Sequence, residues 1–132
     1  METVMIKKIL FAVVIFALST AILQGAIFYK TNYAKTEIET YTYDEYTLEV
    51  YEIGEPEWPF GKTHCRFILN KEKERVIKFD FTISDDGSRA GKDNFDIKWY
   101  EDRIEVVVNG SEQSDMLYRL NFDGSMSSMK LT

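Results

Sequence analysis

Hydrophobic and polar positions follow two different rules along this chain, and the change falls near residue 36. From Ile9 to Tyr29 no residue is charged, and only Ser19, Thr20, Gln24 and Gly25 interrupt an otherwise apolar run. A helix over residues 9–29 is apolar on every face, so it has no stripe to turn toward water. At about 1.5 Å per residue it reaches roughly 31 Å, the thickness of one hydrocarbon core. Lys7 and Lys8 precede the run and Lys30 and Lys35 follow it, while Tyr29 and Tyr33 suit the headgroup level.

Beyond Glu37 the period becomes two, the mark of strands with one buried face. Tyr46, Leu48 and Val50 share one side of the first run, and Tyr51 and Ile53 take the other, which predicts a bulge or two-sided burial near residue 50. Further alternations follow at Cys65, Phe67 and Leu69; at Ile77, Phe79, Phe81 and Ile83; at Phe95, Ile97 and Trp99; at Ile104, Val106 and Val108; and at Tyr118, Leu120 and Phe122. Polar breaks at residues 70–74, 85–91 and 101–102 separate them, and Asn109-Gly110 supplies residues that accept positive φ. Short loops favour antiparallel neighbours. The expected fold is therefore all-β: a six-stranded antiparallel meander over residues 36–123, forming a small sandwich or open barrel, after one N-terminal transmembrane or signal helix. Residues 1–35 form the anchor and a short stalk, since residues 30–40 carry no strong pattern. The Ser/Met-rich residues 124–132 read as a flexible tail.

Charge sharpens this division. Of the formal charge of −6, residues 1–35 hold four lysines against one glutamate, which leaves 12 basic and 21 acidic residues, or −9, on the remainder. A region so acidic, with no Lys/Arg stripe, excludes nucleic acid as a partner. The single Cys excludes an internal disulfide scaffold. The apolar run continues past Ala21 through Ile22, Leu23 and Phe28, longer than the core of a typical signal peptide, so an uncleaved signal anchor is favoured; cleavage at Ser19-Thr20-Ala21, giving a secreted domain, is the alternative. Leu23-Gln24-Gly25-Ala26 has Ala where a lipoprotein carries its lipid-modified Cys, which excludes a lipid anchor. The flanking lysines are nearly balanced, and the orientation chosen is a single-pass protein of the cell membrane, amino terminus inside and acidic domain extracytoplasmic.

Candidate chemistry is sparse. Gly61-Lys62-Thr63 ends like a phosphate-binding P-loop, but the partner glycine is required at position 56, which is Pro56, and Gly54 is two positions too early. His64 and Cys65 are adjacent, so a strand points them to opposite faces and they form no Cys-His nucleophile pair. Cys65 reads as a core filler beside Phe67. Asp85, Asp86, Asp93 and Asp96 could offer oxygens to Ca²⁺, but an EF-hand register from Asp85 puts Gly87 and Arg89 at ligand positions, and a solvated loop is the simpler account. Glu101 with Glu105, or Glu55 with Glu57, could supply glycosidase-type carboxylates, although nothing selects a pair. Asn109-Gly110-Ser111 matches a glycosylation sequon and is equally a turn. No catalytic residue, cofactor or metal is therefore expected, and the protein is read as not an enzyme. The most unusual stretch is Glu55-Pro56-Glu57-Trp58-Pro59-Phe60-Gly61, where two prolines stiffen a loop carrying Trp58 and Phe60. The two rings either fold back over one end of the core or present a contact surface to a partner.

The run Lys98-Trp99-Tyr100-Glu101-Asp102-Arg103-Ile104-Glu105-Val106, continued by Asn109-Gly110-Ser111-Glu112-Gln113-Ser114-Asp115, resembles the terminal hairpin of small uncharacterised membrane-anchored or lipoprotein-like β-domains of Gram-positive bacteria. The likeness extends back to Tyr51-Glu52-Ile53-Gly54 and Pro59-Phe60-Gly61. It implies an envelope location and a small β-fold, and it transfers no activity and no site residue. The function expected is a membrane-tethered extracytoplasmic binding or interaction module. Its partners are the lipid bilayer, through the helix, and an unknown protein or carbohydrate at the cell surface. An immunity-type or regulatory partner-binding protein is the first alternative, and a secreted carboxylate-based hydrolase the second.

Overall fold

The computed structural model describes residues 2–131, so Met1 and Thr132, the outer limits of the expected anchor and tail, lie outside the described residues. The chain divides into two compact units, residues 1–34 and 35–132. In the first, one helix, α1 (Glu2–Asn32), carries the whole apolar run and buries none of its residues against protein. Two of its polar side chains are turned back on its own backbone: Thr20 Oγ1 donates to the Phe16 carbonyl at 2.9 Å, and Asn32 Nδ2 to that of Phe28 at 3.0 Å. A helix of this length and composition is compatible with a membrane anchor or a signal sequence.

The second unit is all strand apart from one 3₁₀ turn at Lys92–Asn94. It holds eight strands rather than six: β1 (Lys35–Tyr43), β2 (Tyr46–Ile53), β3 (Thr63–Lys71), β4 (Glu74–Ile83), β5 (Phe95–Trp99), β6 (Arg103–Val108), β7 (Met116–Asn121) and β8 (Met126–Lys130). They pair in sequence order into two four-stranded antiparallel sheets, β1-β2-β3-β4 and β5-β6-β7-β8. Of the two expected closures this is the sandwich. The unexpected strands are β1, which replaces most of the expected stalk, and β8, which replaces the expected tail. Both are edge strands with no fully buried residue, so neither alternates strongly enough to be read as a strand.

The core lies between the sheets. Leu48 and Val50 of β2, Cys65, Phe67 and Leu69 of β3, Ile77, Phe81 and Ile83 of β4, and Phe95, Ile104, Val106, Val108, Tyr118 and Leu120 of the second sheet form one buried cluster. Phe67 is at its centre, stacked on Phe81 with centroids 4.2 Å apart and meeting Tyr118 edge-on at 5.7 Å and Phe95 at 6.1 Å. At one end of the sandwich Tyr46 stacks on Phe122 and Tyr43 on Trp99.

Two details of the expected register are corrected. Pairing of β2 with β3 runs without a shift from Tyr46 to Ile53, so of the two expected outcomes near residue 50 the bulge is absent, while Tyr51 and Ile53 are half-buried on the face opposite the core; the irregularity is in β1, between Glu37 and Glu39. Unbroken alternation then makes Glu52 the next inward position after Leu48 and Val50. Neither Asn109 nor Gly110 is among the residues with positive φ, which in turns fall at Asp44, Glu72, Asp86, Gly87 and Gly124, with Gly54 ending β2. Gly110 is required for a different reason: a Cβ there would come within 2.5 Å of the Ser84 carbonyl oxygen.

Phe67→Ala removes the ring that touches both sheets and leaves a central cavity. The expected loss is about 3–5 kcal/mol, read as a lowered denaturant midpoint and the collapse of the near-ultraviolet circular dichroism of the domain.

Candidate functional site

One end of the sandwich is built from three loops. Ile53 ends β2 and Thr63 starts β3, so residues 54–62 leave and re-enter the first sheet at this end. Residues 84–91 follow β4, and residues 109–115 join β6 to β7. Lys35, where the chain enters β1, pairs with Ile53 and so lies at the same end.

Backbone groups bind these loops to one another. Loop 54–62 closes on itself through Glu57 N–H donating to the Lys62 carbonyl at 3.0 Å and Gly61 N–H to that of Glu57 at 2.7 Å. A side chain at Gly61 would run into Glu57, so this turn needs glycine. Loop 84–91 lies beneath it: Gly87, at φ +74°, faces the Pro59 carbonyl and the Phe60 Cα, and Thr63 Oγ1 donates to the Ser88 carbonyl at 2.8 Å. The third loop is fastened to the second by Glu112 N–H on the Ser84 carbonyl, Ser84 N–H on Gln113 Oε1 and Ser111 N–H on Asp85 Oδ1.

On this fastened base stand Trp58 and Phe60. Trp58 is 92 % exposed and Phe60 68 % exposed, so the rings do not fold back over the core end. Among the described residues of the second unit, the other exposed large hydrophobic residues are Tyr43 and Met129, both less exposed than these two. Two of four thus fall in one loop, two positions apart. The polar companion of the rings is a hydrogen bond between Glu57 Oε1 and His64 Nε2 at 2.9 Å, which holds the Glu57 carboxyl below its ordinary range.

Beneath the loops lies a group that the expectation of a bulge or two-sided burial near residue 50 left unassigned. Glu52 is 2 % exposed and faces the interior, opposite Cys65 in the register. Arg89 places its guanidinium 3.3 Å from Glu52 Oε1, an oxygen that makes no hydrogen bond of good geometry. Burial raises the Glu52 carboxyl above its ordinary value, with Arg89, the Ala90 backbone and Glu55 as the other groups acting on it; burial first, and then the Glu52 charge, push the Cys65 thiol up to about 12. A thiol so raised is inert as a nucleophile, in keeping with its place as core filler. Unbroken period-two counting from Leu48 was the signal that would have found Glu52; nothing local in the sequence marks Arg89 as its partner.

The remaining candidates are dispersed. His64 is exposed and Cys65 buried, on opposite faces of β3 as expected. Among the described residues no three His, Cys, Asp or Glu side chains converge as a metal site. Asp85 accepts from the Ser111 N–H and the Asn94 amide, while Asn109 donates to the Asp93 carbonyl, so both serve the loop framework. Glu105, with Asp96, borders a depression of about 310 Å³ on the outer face of the second sheet, and it is held by Arg119 at 3.0 Å and Arg103 at 3.9 Å. Glu101 is exposed at the far end, away from Glu55 and Glu57. Compared with protein families, curated proteins and solved structures, the chain matches none.

The Glu52–Arg89 pair has a measurable signature. A folded-state carboxyl raised above its unfolded value binds its proton more tightly in the native protein, so its contribution to stability falls as pH rises from the ordinary carboxylate value through the raised one. In Glu52→Gln that fall is absent, and the variant gains on the wild type across this window in unfolding titrations. Arg89→Ala leaves the buried carboxylate uncompensated and costs about 1 kcal/mol or more at neutral pH. In the Glu52→Gln background the same change costs less than about 0.5 kcal/mol, and equal costs in the two backgrounds refute the pairing.

Proposed function

We propose that this protein is a membrane-tethered extracytoplasmic module that works by contact rather than by catalysis. Helix α1 serves as an uncleaved single-pass anchor with its amino-terminal side in the cytoplasm, and the sandwich presents residues 54–62 as its contact surface. The observation that carries this reading is the exposure of Trp58 and Phe60 on a loop closed by its own backbone hydrogen bonds and seated on loop 84–91. Large rings held rigidly in water cost solubility and gain little for the fold, while a contact surface already in its bound shape loses little entropy on binding. The likeness of residues 98–115 to Gram-positive envelope domains points to the same location.

Two measurements test the two parts. With an epitope tag after Thr132 the anchor predicts a full-length species in the membrane fraction whose tag is reached by protease in intact cells. A species in the medium that lacks residues 1–21 makes α1 a signal peptide, and a tag reached only after permeabilisation reverses the orientation. For the contact surface, Trp58→Ala with Phe60→Ala leaves the unfolding free energy within about 0.5 kcal/mol of wild type and weakens binding to the partner at least tenfold. Unchanged affinity overturns the loop assignment.

A further inference from the structure

We infer that the partner of the Trp58–Phe60 loop is the bilayer that holds the anchor: the two rings insert into the headgroup interface and fix the domain against the membrane surface. This rests on the reading of α1 as an uncleaved anchor.

The argument begins with chain length. Helix α1 ends at Asn32 and β1 begins at Lys35, so only Tyr33 and Ala34 separate them. If Tyr29 marks the edge of the hydrocarbon, one further helical turn and three extended residues bring Lys35 no more than about 15 Å from it, and the interfacial layer itself occupies about 5–7 Å of that. Register supplies the second step. Lys35 pairs with Ile53, and residues 54–62 continue beyond the sheet from Ile53 on the side from which the chain arrives. The nine-residue loop projects from the end of the domain that the tether holds close to lipid, with a reach of up to about 13 Å.

Side-chain chemistry supplies the third step. Tryptophan is favoured at the interface, where an apolar ring and a polar N–H are both satisfied, and Phe60 adds apolar area. The loop carries Glu55 and Glu57 against Lys62, and Arg89 in the loop beneath it is paired with Glu52. The contact is therefore apolar insertion into a zwitterionic interface, and adsorption to anionic headgroups is disfavoured. The loop is closed by its own Glu57–Lys62 and Gly61–Glu57 backbone bonds and seated on Gly87 of the neighbouring loop, so little chain ordering opposes insertion.

The protein contains its own control. Of the two tryptophans, Trp58 is on this loop and Trp99 stacks on Tyr43 at the opposite end of the sandwich. The nine residues of β1 set the two ends about 30 Å apart. The full chain is reconstituted into phosphatidylcholine vesicles with and without lipid brominated on its acyl chains, as Trp99→Phe, which leaves Trp58 as the only indole, and as Trp58→Phe, which leaves Trp99.

The expected result is a blue-shifted Trp58 emission strongly quenched by brominated lipid, shielded from aqueous iodide and unchanged between low and high salt, with Trp99 emission insensitive to bromination. Trp58 emission that is red, open to iodide and unquenched overturns the proposal, because the loop then faces water. Blue-shifted but unquenched emission also overturns it, because the ring is then covered by protein. Co-flotation of the chain with the vesicles is read separately. Its loss refutes the anchor, whereas unquenched Trp58 in a chain that does float refutes only the loop insertion.

Discussion

The fold depends on the packing of Phe67 against Phe81, Phe95 and Tyr118, because this is where two sheets that could not stand alone become one body. Each sheet is a four-stranded meander with a single apolar face, and burying that face requires the other sheet. Phe67 lies on a central strand of the first sheet and meets Tyr118 and Phe95 of the second edge-on, a geometry that aromatic pairs prefer over face-to-face contact. The loops at either end inherit their positions from this contact. Loop 84–91 carries the chain from the first sheet to the second, and its bonds to loop 109–115 of the second sheet fasten the end of β4 to that sheet.

Rigidity at the loop end follows from how backbone groups are satisfied. Irregular segments have no ladder to accept their N–H and C=O groups, so those groups must find one another, water or a side chain. Here residues 84–91 take up bonds from both neighbours: Ser84 and Asp85 from the 109–115 loop, and Ser88 from Thr63 at the foot of the 54–62 loop. The Glu52–Arg89 pair lies in the same layer. An ion pair with one partner so deeply buried gives little net stability, since desolvation offsets the attraction. Its geometric effect is to hold loop 84–91, through Arg89, over the inner face of β2.

The parts legible in the sequence are those where one face is buried and the other is wet. β4 is the clearest case, because Ile77, Phe79, Phe81 and Ile83 alternate with Lys78, Asp80 and Thr82, and the observed burial follows that order closely. β1 and β8 were illegible for the converse reason. An edge strand that covers little of the core is under no pressure to alternate, and Lys35–Tyr43 is mostly charged, Thr or Tyr. Glu52 was not legible because Tyr51 and Ile53, apolar and on the other side, pointed to a bulge or two-sided burial near residue 50. The pleat in fact continued, and the charge was met by an arginine 37 positions later in sequence. Exposure of Trp58 and Phe60 was undecided in the sequence because it depends on contacts of Gly87 and Thr63 with residues remote along the chain.

Missing one edge strand has a consequence larger than a miscount. In a meander each hairpin reverses the chain, so the end at which a given loop emerges is set by the parity of the strands before it. Were β2 the first strand, the chain would enter the domain at Tyr46, and residues 54–62 would lie at the opposite end from the entry. With β1 in place the chain enters at Lys35, opposite Ile53, and the same loop emerges beside the entry. Under the proposed reading of α1 as an anchor, an aromatic loop far from the entry would be offered to partners in the surrounding medium, whereas one beside the entry is offered first to the membrane. A strand with no fully buried residue thus contributes little to the core and still decides which environment the most exposed aromatic side chains of the domain encounter.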